Sequence, residues 1–209
     1  MIPKIRNNHG EALDTTLQAG KRKGYLVILA HGLTGNKNRP VIANLADALA
    51  LDGWPCLRVS YSGNGMSEGS FSDSNITKNI ADLTSIIDQL SNGRKIIYIG
   101  HSMGSAAGTL TAVRDERICG LISLAGLVHT QEFAERTFAK LTPGQSHLSP
   151  QRDSLLSQSL INDLTQISST LPAVKELRLP WLLFHGLKDN EVYPRDSEDL
   201  CALIAGKID

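Results

Sequence analysis

Ile96-Ile97-Tyr98-Ile99-Gly100-His101-Ser102-Met103-Gly104 is the stretch on which the reading of this chain turns. Four apolar residues in succession suit a strand buried on both faces. They run into a serine with a glycine two positions to either side, and residues 103–113 continue as a helix. A strand turning sharply into a helix, with serine at the tip, is the context that the G-x-S-x-G nucleophile elbow requires. Small neighbours leave room for the turn. The hydroxyl then stands above the sheet, and the helix N-terminus behind it offers backbone N–H donors. The plain alternative is a strand–helix junction that happens to carry a serine between glycines.

The same alternation extends outward from this stretch. Tyr25–Ala30 reads as a buried strand, and residues 41–52 as a helix closed by Gly53. Cys56–Tyr61 is a second strand. Residues 75–90 place Ile76, Ile80, Leu83, Ile87 and Leu90 on one helical face, with Ser74 or Asn75 as N-cap. Leu121–Ala125 and Trp181–Phe184 are further strands, and 196–204 a last helix. Strands alternating with helices predict an α/β fold, a doubly wound and mostly parallel sheet. Residues 2–19 suggest a hairpin. Residues 127–180 break the rhythm, with Pro143-Gly144, Ser149-Pro150 and a helical piece at 154–167. The expected organisation is a core of 1–126 and 181–209 with a lid or cap insertion at 127–180.

Two further motifs follow strands, where ligand sites of such sheets lie. In His31-Gly32-Leu33-Thr34-Gly35 the turn can aim the N–H of Leu33 at a developing oxyanion, with the N–H of Met103 as its partner. The His31 side chain reads as structural. In His185-Gly186-Leu187-Lys188-Asp189, Asp189 is placed to orient a catalytic histidine, or else simply forms the turn. Glu191 is the alternative acid. The loop Gly63-Asn64-Gly65-Met66-Ser67-Glu68-Gly69 fails the spacing of a dinucleotide or phosphate loop. It reads as a tight loop at the rim of the site.

Composition narrows the function. The chain has 209 residues, one domain's worth, with 21 basic and 21 acidic side chains and a formal net charge of +0. That balance gives no footprint for nucleic acid. No run of about 18 apolar residues suggests a membrane span. Cys56, Cys119 and Cys201 are too few and too far apart for a disulfide framework or a metal site, and Cys56 and Cys119 read as small buried hydrophobes. The segment Met1–Arg6 lacks the apolar region of a signal peptide, and the expected location is cytoplasmic. Oligomeric state leaves no trace in the sequence.

Taken together, His31–Asn36, Tyr61–Gly69, Gly100–Gly104 and His185-Gly186 with Asp189 resemble the α/β-hydrolase superfamily over nearly the whole chain. More narrowly they resemble serine hydrolases of the esterase and serine-aminopeptidase-like group, including feruloyl-esterase-like enzymes. The resemblance implies Ser102 as nucleophile, Leu33 and Met103 as oxyanion donors, Asp189 as triad acid and a helical lid at 127–180. It also implies an ester substrate of small-molecule size and no cofactor or metal.

One part is out of place. The triad order is serine, acid, histidine, yet the 209 − 189 = 20 residues after Asp189 contain no histidine. The expectation is a fold whose last strand is missing, leaving the preceding strand with an open edge. A truncated enzyme, a natural pseudo-enzyme, and a base supplied from the lid by His129 or His147 are the three explanations. They leave two readings of function: a serine hydrolase cleaving a carboxylic ester, or less readily an amide or thioester, through an acyl-enzyme, and a catalytically impaired binding protein of the same fold.

Overall fold

The computed structural model describes residues 4–150 and 154–205. The strands are β1 (Thr15–Gln18), β2 (Tyr25–Ala30), β3 (Cys56–Val59), β4 (Lys95–His101), β5 (Ile118–Leu124) and β6 (Trp181–Phe184). The helices are α1 (Pro40–Leu51), α2 (Ile76–Leu90), α3 (Met103–Ala112), α4 (Thr130–Phe138), α5 (Gln158–Ile167), α6 (Leu171–Val174) and α7 (Pro194–Ala205). The strands form one sheet in the order β1-β3-β2-β4-β5-β6. Only β1 runs antiparallel to its neighbour. This is the α/β-hydrolase fold expected from the motifs.

The hairpin expected over 2–19 takes a different form. Arg6 bridges Ala12 across a tight turn, while β1 pairs with β3 rather than with the segment before it; residues 2 and 3 lie outside the described residues. The strand expected over 56–61 ends at Val59. Beyond it, Ser60 and Tyr61 already bond the N-terminal segment and the ring of His31.

Alternating side chains send each strand's residues to two cores. Leu26, Ile28, Leu57, Ile96 and Tyr98 meet Leu83, Ile86 and Ile87 of α2 on one face. Val27, Leu29, Cys56 and Ile99 meet Ile42 and Ala46 of α1 on the other. Helices on both faces explain why the central strands are continuously apolar. Cys56 is buried as expected, whereas Cys119 is only half-buried, because it stands on the thinly covered side of β5. Towards β6 the face shared with α1 runs out of cover, and Leu182 and Phe184 are 51% and 52% exposed.

The strand order reverses between β2 and β4: the chain passes from β2 outward to β3, then returns to β4 and continues to the opposite edge. Such a switch point opens a crevice at the carboxyl ends of the two strands. Their register pairs Ala30 with Gly100, which sets His31 and Gly32 beside His101 and Ser102.

Residues 127–180 contribute α4, α5 and α6. Phe133, Phe138, Leu156, Leu160 and Leu164 form a core with Met103, Ala106 and Ala107 of α3, so this segment covers the helix that follows the elbow. Phe133 and Phe138 meet edge to face, with centroids 5.9 Å apart. A polar tie fastens the segment further out. The Asp163 carboxylate of α5 accepts from the backbone N–H of Ile76 at 2.8 Å and of Thr77 at 3.3 Å, and from the Thr77 hydroxyl. It thus caps the first turn of α2, whose own N-cap, Asn75, serves Lys78. Asp163→Ala is expected to lower stability by about 1 kcal/mol, the value of a lost helix cap. Urea unfolding of the two proteins measures it.

Candidate active site

Ser102 stands between β4 and α3 with φ 51° and ψ −121°. A side-chain-bearing residue in that region is held there against a cost of about 1–3 kcal/mol. Its backbone shows what holds it. The N–H of Ser102 donates to Leu124 of β5 at 3.0 Å, and its carbonyl accepts from Ser105 at 2.9 Å and Leu127 at 3.2 Å.

The surrounding glycines are required by contact. A Cβ on Gly104 would lie 2.3 Å from the His31 carbonyl oxygen, and one on Gly100 would lie 2.5 Å from the backbone of Ser105. A Cβ on Gly32 would come 2.9 Å from that of Ser102. The end of β2 and the first turn of α3 therefore touch through bare backbone.

After β2 the chain folds into a turn. Gly35 donates to the carbonyl of Gly32 at 3.0 Å, with Thr34 at φ 56°. Leu33 lies inside that turn, and Met103 is the first residue of α3. Among the described residues neither backbone N–H has a hydrogen-bond partner. One of these N–H groups is in the turn after β2 and the other at the start of α3, on the two segments that meet at Gly32 and Ser102. The side chains of Leu33 and Met103 point into the apolar core shared with 127–180.

The histidines divide cleanly. His31 is buried; its Nε2 accepts from the Tyr61 N–H at 3.1 Å, so Nδ1 carries the proton and donates to the Gly32 carbonyl at 2.7 Å. Its side chain is structural, as expected. His101 lies on the α1 side of β4; burial, seconded by the positive charge of Arg39, lowers its pKa, against an opposing pull from Asp189. His185 bonds Ser197 and the carbonyl of Val192, bracing the loop between β6 and α7. His129 Nε2 meets the Asp199 carboxylate at 2.7 Å, and that bond helps hold Asp199 below its usual pKa. His147 sits in an isolated bridge with Leu155. No described hydrogen bond reaches the Ser102 hydroxyl.

Asp189 occupies the turn after β6. One carboxylate oxygen accepts from the N–H groups of Glu191 and Val192 at 2.9 and 3.1 Å, and the other lies 3.8 Å from His185 Nε2. It therefore closes its own turn, and its reach to a base is a matter of proposal. The loop of residues 63–69 is structural: Glu68 pairs with Ala12 through backbone and side chain, and Ser67 bonds Ser60 and Asp14. Among the described residues no cluster of His, Cys, Asp and Glu could hold a metal, and no helix is long and apolar enough to cross a membrane.

Sequence reading overlooked Tyr98, whose hydroxyl donates to the Gly104 carbonyl at 2.6 Å. The available signal was Gly108, a glycine inside a helix, where a Cβ would fall 2.1 Å from the Tyr98 ring.

Comparison with known proteins agrees with the fold. Residues 25–148 match the family described as alpha/beta hydrolase fold, and the chain belongs to that family. Est1E from Butyrivibrio proteoclasticus, solved with ferulic acid bound, superposes with a TM-score of 0.80 at 23% identity, over 96% of this chain and 85% of that one. Alpha/beta hydrolase domain-containing protein 10 from mouse gives 0.76 at 21% identity, over 97% and 84%. The human palmitoyl-protein thioesterase ABHD10, mitochondrial, is 37% identical over 79 residues, 37% of this chain. That match spans 26% of the length of the human protein.

Gly104→Ala is expected to cost about 2 kcal/mol or more, since a methyl group would press on backbone that cannot yield. Gly186, with nothing within 4 Å of its would-be Cβ, is the control: Gly186→Ala is expected to stay within about 0.5 kcal/mol of the parent. Thermal melts of the two variants make the comparison.

Proposed function

We propose that this hydrolase-family chain is a serine hydrolase that cleaves a carboxylic ester through an acyl-enzyme on Ser102. The observation that carries the proposal is the strained conformation of Ser102 beside two unengaged N–H groups. The serine oxygen attacks the ester carbonyl carbon. The carbonyl oxygen gains negative charge and is met by Leu33 and Met103 N–H. The alkoxide collapses, the alcohol leaves with the proton that Ser102 gave up, and water repeats the sequence, restoring a proton to Ser102 as the acid is released. Asp189 is the proposed acid partner of the general base. Residues 127–180 act as a lid, with Leu33, Met103 and Phe133 offering an apolar wall for the acyl group. No metal or cofactor enters these steps.

The relatives suggest which substrates to try first: a phenolic acid ester, after the ferulate-bound Est1E, and an acyl thioester, after the thioesterase. The three cysteines are free, which suits a reducing compartment such as the cytoplasm.

A second reading, a binding protein of impaired catalysis, is favoured by one observation. Both ring nitrogens of His31 and His185 and the Nε2 of His129 are engaged elsewhere, and no described histidine bonds Ser102. On this reading the proposed nucleophile, Ser102, has no base in contact among the described residues. Losing one triad member leaves roughly 10³–10⁴-fold catalysis over water, so residual activity separates the readings.

A fluorophosphonate probe is expected to label the parent protein and not Ser102→Ala. Equal labelling of both would remove Ser102 from the nucleophile role. Dissolved imidazole is expected to raise nitrophenol release from a short aryl ester in the parent above the rate in Ser102→Ala. The same imidazole response in both would favour the binding protein.

A further inference from the structure

Two donors on separate loops make an oxyanion site only if their spacing is held. Beneath them runs a buried chain of hydrogen bonds that the steps above do not use. Tyr61 and Tyr98 are 0% and 1% exposed. The Tyr98 hydroxyl donates to the Gly104 carbonyl at 2.6 Å, and the Tyr61 hydroxyl oxygen lies 2.7 Å from that of Tyr98. A tyrosine has one hydroxyl proton. Tyr98 gives its proton to a carbonyl, which can only accept, so Tyr61 is the donor between the two rings. Burial raises the pKa of both hydroxyls, which keeps these protons in place.

The chain continues the other way from Tyr61. Its backbone N–H donates to His31 Nε2, and His31 Nδ1 donates to the Gly32 carbonyl. The two rings also meet edge to face, 5.4 Å between centroids. A single path thus links the carbonyl of Gly32, the residue before Leu33, to the carbonyl of Gly104, the residue after Met103.

Satisfying buried groups does not account for this path. Within α3 the Gly104 carbonyl faces the helix's own N–H four residues on, so Tyr98 adds a second donor to a carbonyl already served. Room for that donor comes from Gly108, whose missing Cβ admits the Tyr98 ring at a helix-weakening position. Phenylalanine would fill the same volume without the hydroxyls.

We infer that Tyr61 and Tyr98 are positioning residues that fix the distance between the Leu33 and Met103 N–H donors. The inference rests on the serine hydrolase reading for its purpose, and on the hydrogen-bond path for its substance.

The test compares Tyr98→Phe, Tyr61→Phe and the double variant, each checked for folding by circular dichroism. The labelling rate of Ser102 by the fluorophosphonate is expected to fall about ten-fold in Tyr98→Phe, a modest displacement of donors by the scale on which 1 Å costs about 10²-fold. It falls less in Tyr61→Phe. The double variant matches Tyr98→Phe, because Tyr61 acts through Tyr98. Labelling rates unchanged in folded variants, or independent multiplicative losses, overturn the inference. A parent protein that does not label defeats the hydrolase reading instead, and amide NMR then decides the positioning role. Leu33 and Met103 signals are expected to shift in Tyr61→Phe, which alters no atom of either loop. Signals that stay in place overturn it. Should Tyr98→Phe not fold, Tyr61→Phe alone carries both measurements, since it leaves the Tyr98–Gly104 bond intact.

Discussion

The contact between the His31 carbonyl and the bare Cα of Gly104 governs this molecule. It lets the first turn of α3 press against the end of β2 at the sheet's switch point. With that approach, Gly32 meets Ser102, which brings the turn holding Leu33 up to the first turn of α3. Without it the helix would stand off and the donors would part. The left-handed backbone of Ser102 follows from the same constraint, because the chain must reverse from strand to helix within one residue. Its cost is offset by three backbone hydrogen bonds, to Leu124, Ser105 and Leu127.

How much of this the sequence disclosed depends on the range of the interactions. The central strands were legible because burial on both faces leaves an uninterrupted apolar run, as in Tyr25–Ala30 and Ile96–Ile99. Helix α2 was legible, with its cap narrowed to Ser74 or Asn75, because its pattern repeats over fifteen residues; Asn75 is the cap. The elbow showed itself because glycine is demanded at fixed offsets. Pairings between distant segments did not show. Nothing local says that β1 lies against β3, or that Asp163 serves the N-terminus of α2, since each depends on a partner dozens of residues away. The strand at Cys56 was read too long for the same reason: Ser60 and Tyr61 have strand-like side chains, but their bonds go to other segments.

Of the candidate site, the segments were more legible than their contacts. The end of β2 and the start of α3, which lead into Leu33 and carry Met103, meet beside Ser102 at the switch point. Asp189 is at the end of its strand, but one carboxylate oxygen is engaged by the N–H groups of Glu191 and Val192. Histidine positions carried the least information. His31 and His101 both border the site in sequence, yet one is locked between two loops and the other stands on the opposite side of the sheet from the α2 core. A histidine's role is set by what its two nitrogens meet, and a sequence does not state that.

The root of the covering segment deserves a mechanical reading. Leu127 donates to the carbonyl of Ser102, and the next two residues, Val128 and His129, donate to the Asp196 carboxylate of α7 at 2.6 and 3.1 Å. Further along, in α5, the segment is clamped to α2 through Asp163. Displacing either attachment would tug on the backbone of Ser102 or uncap a core helix. The cover is thus tied to the core at two separate points, and the backbone of Ser102 is part of one of them.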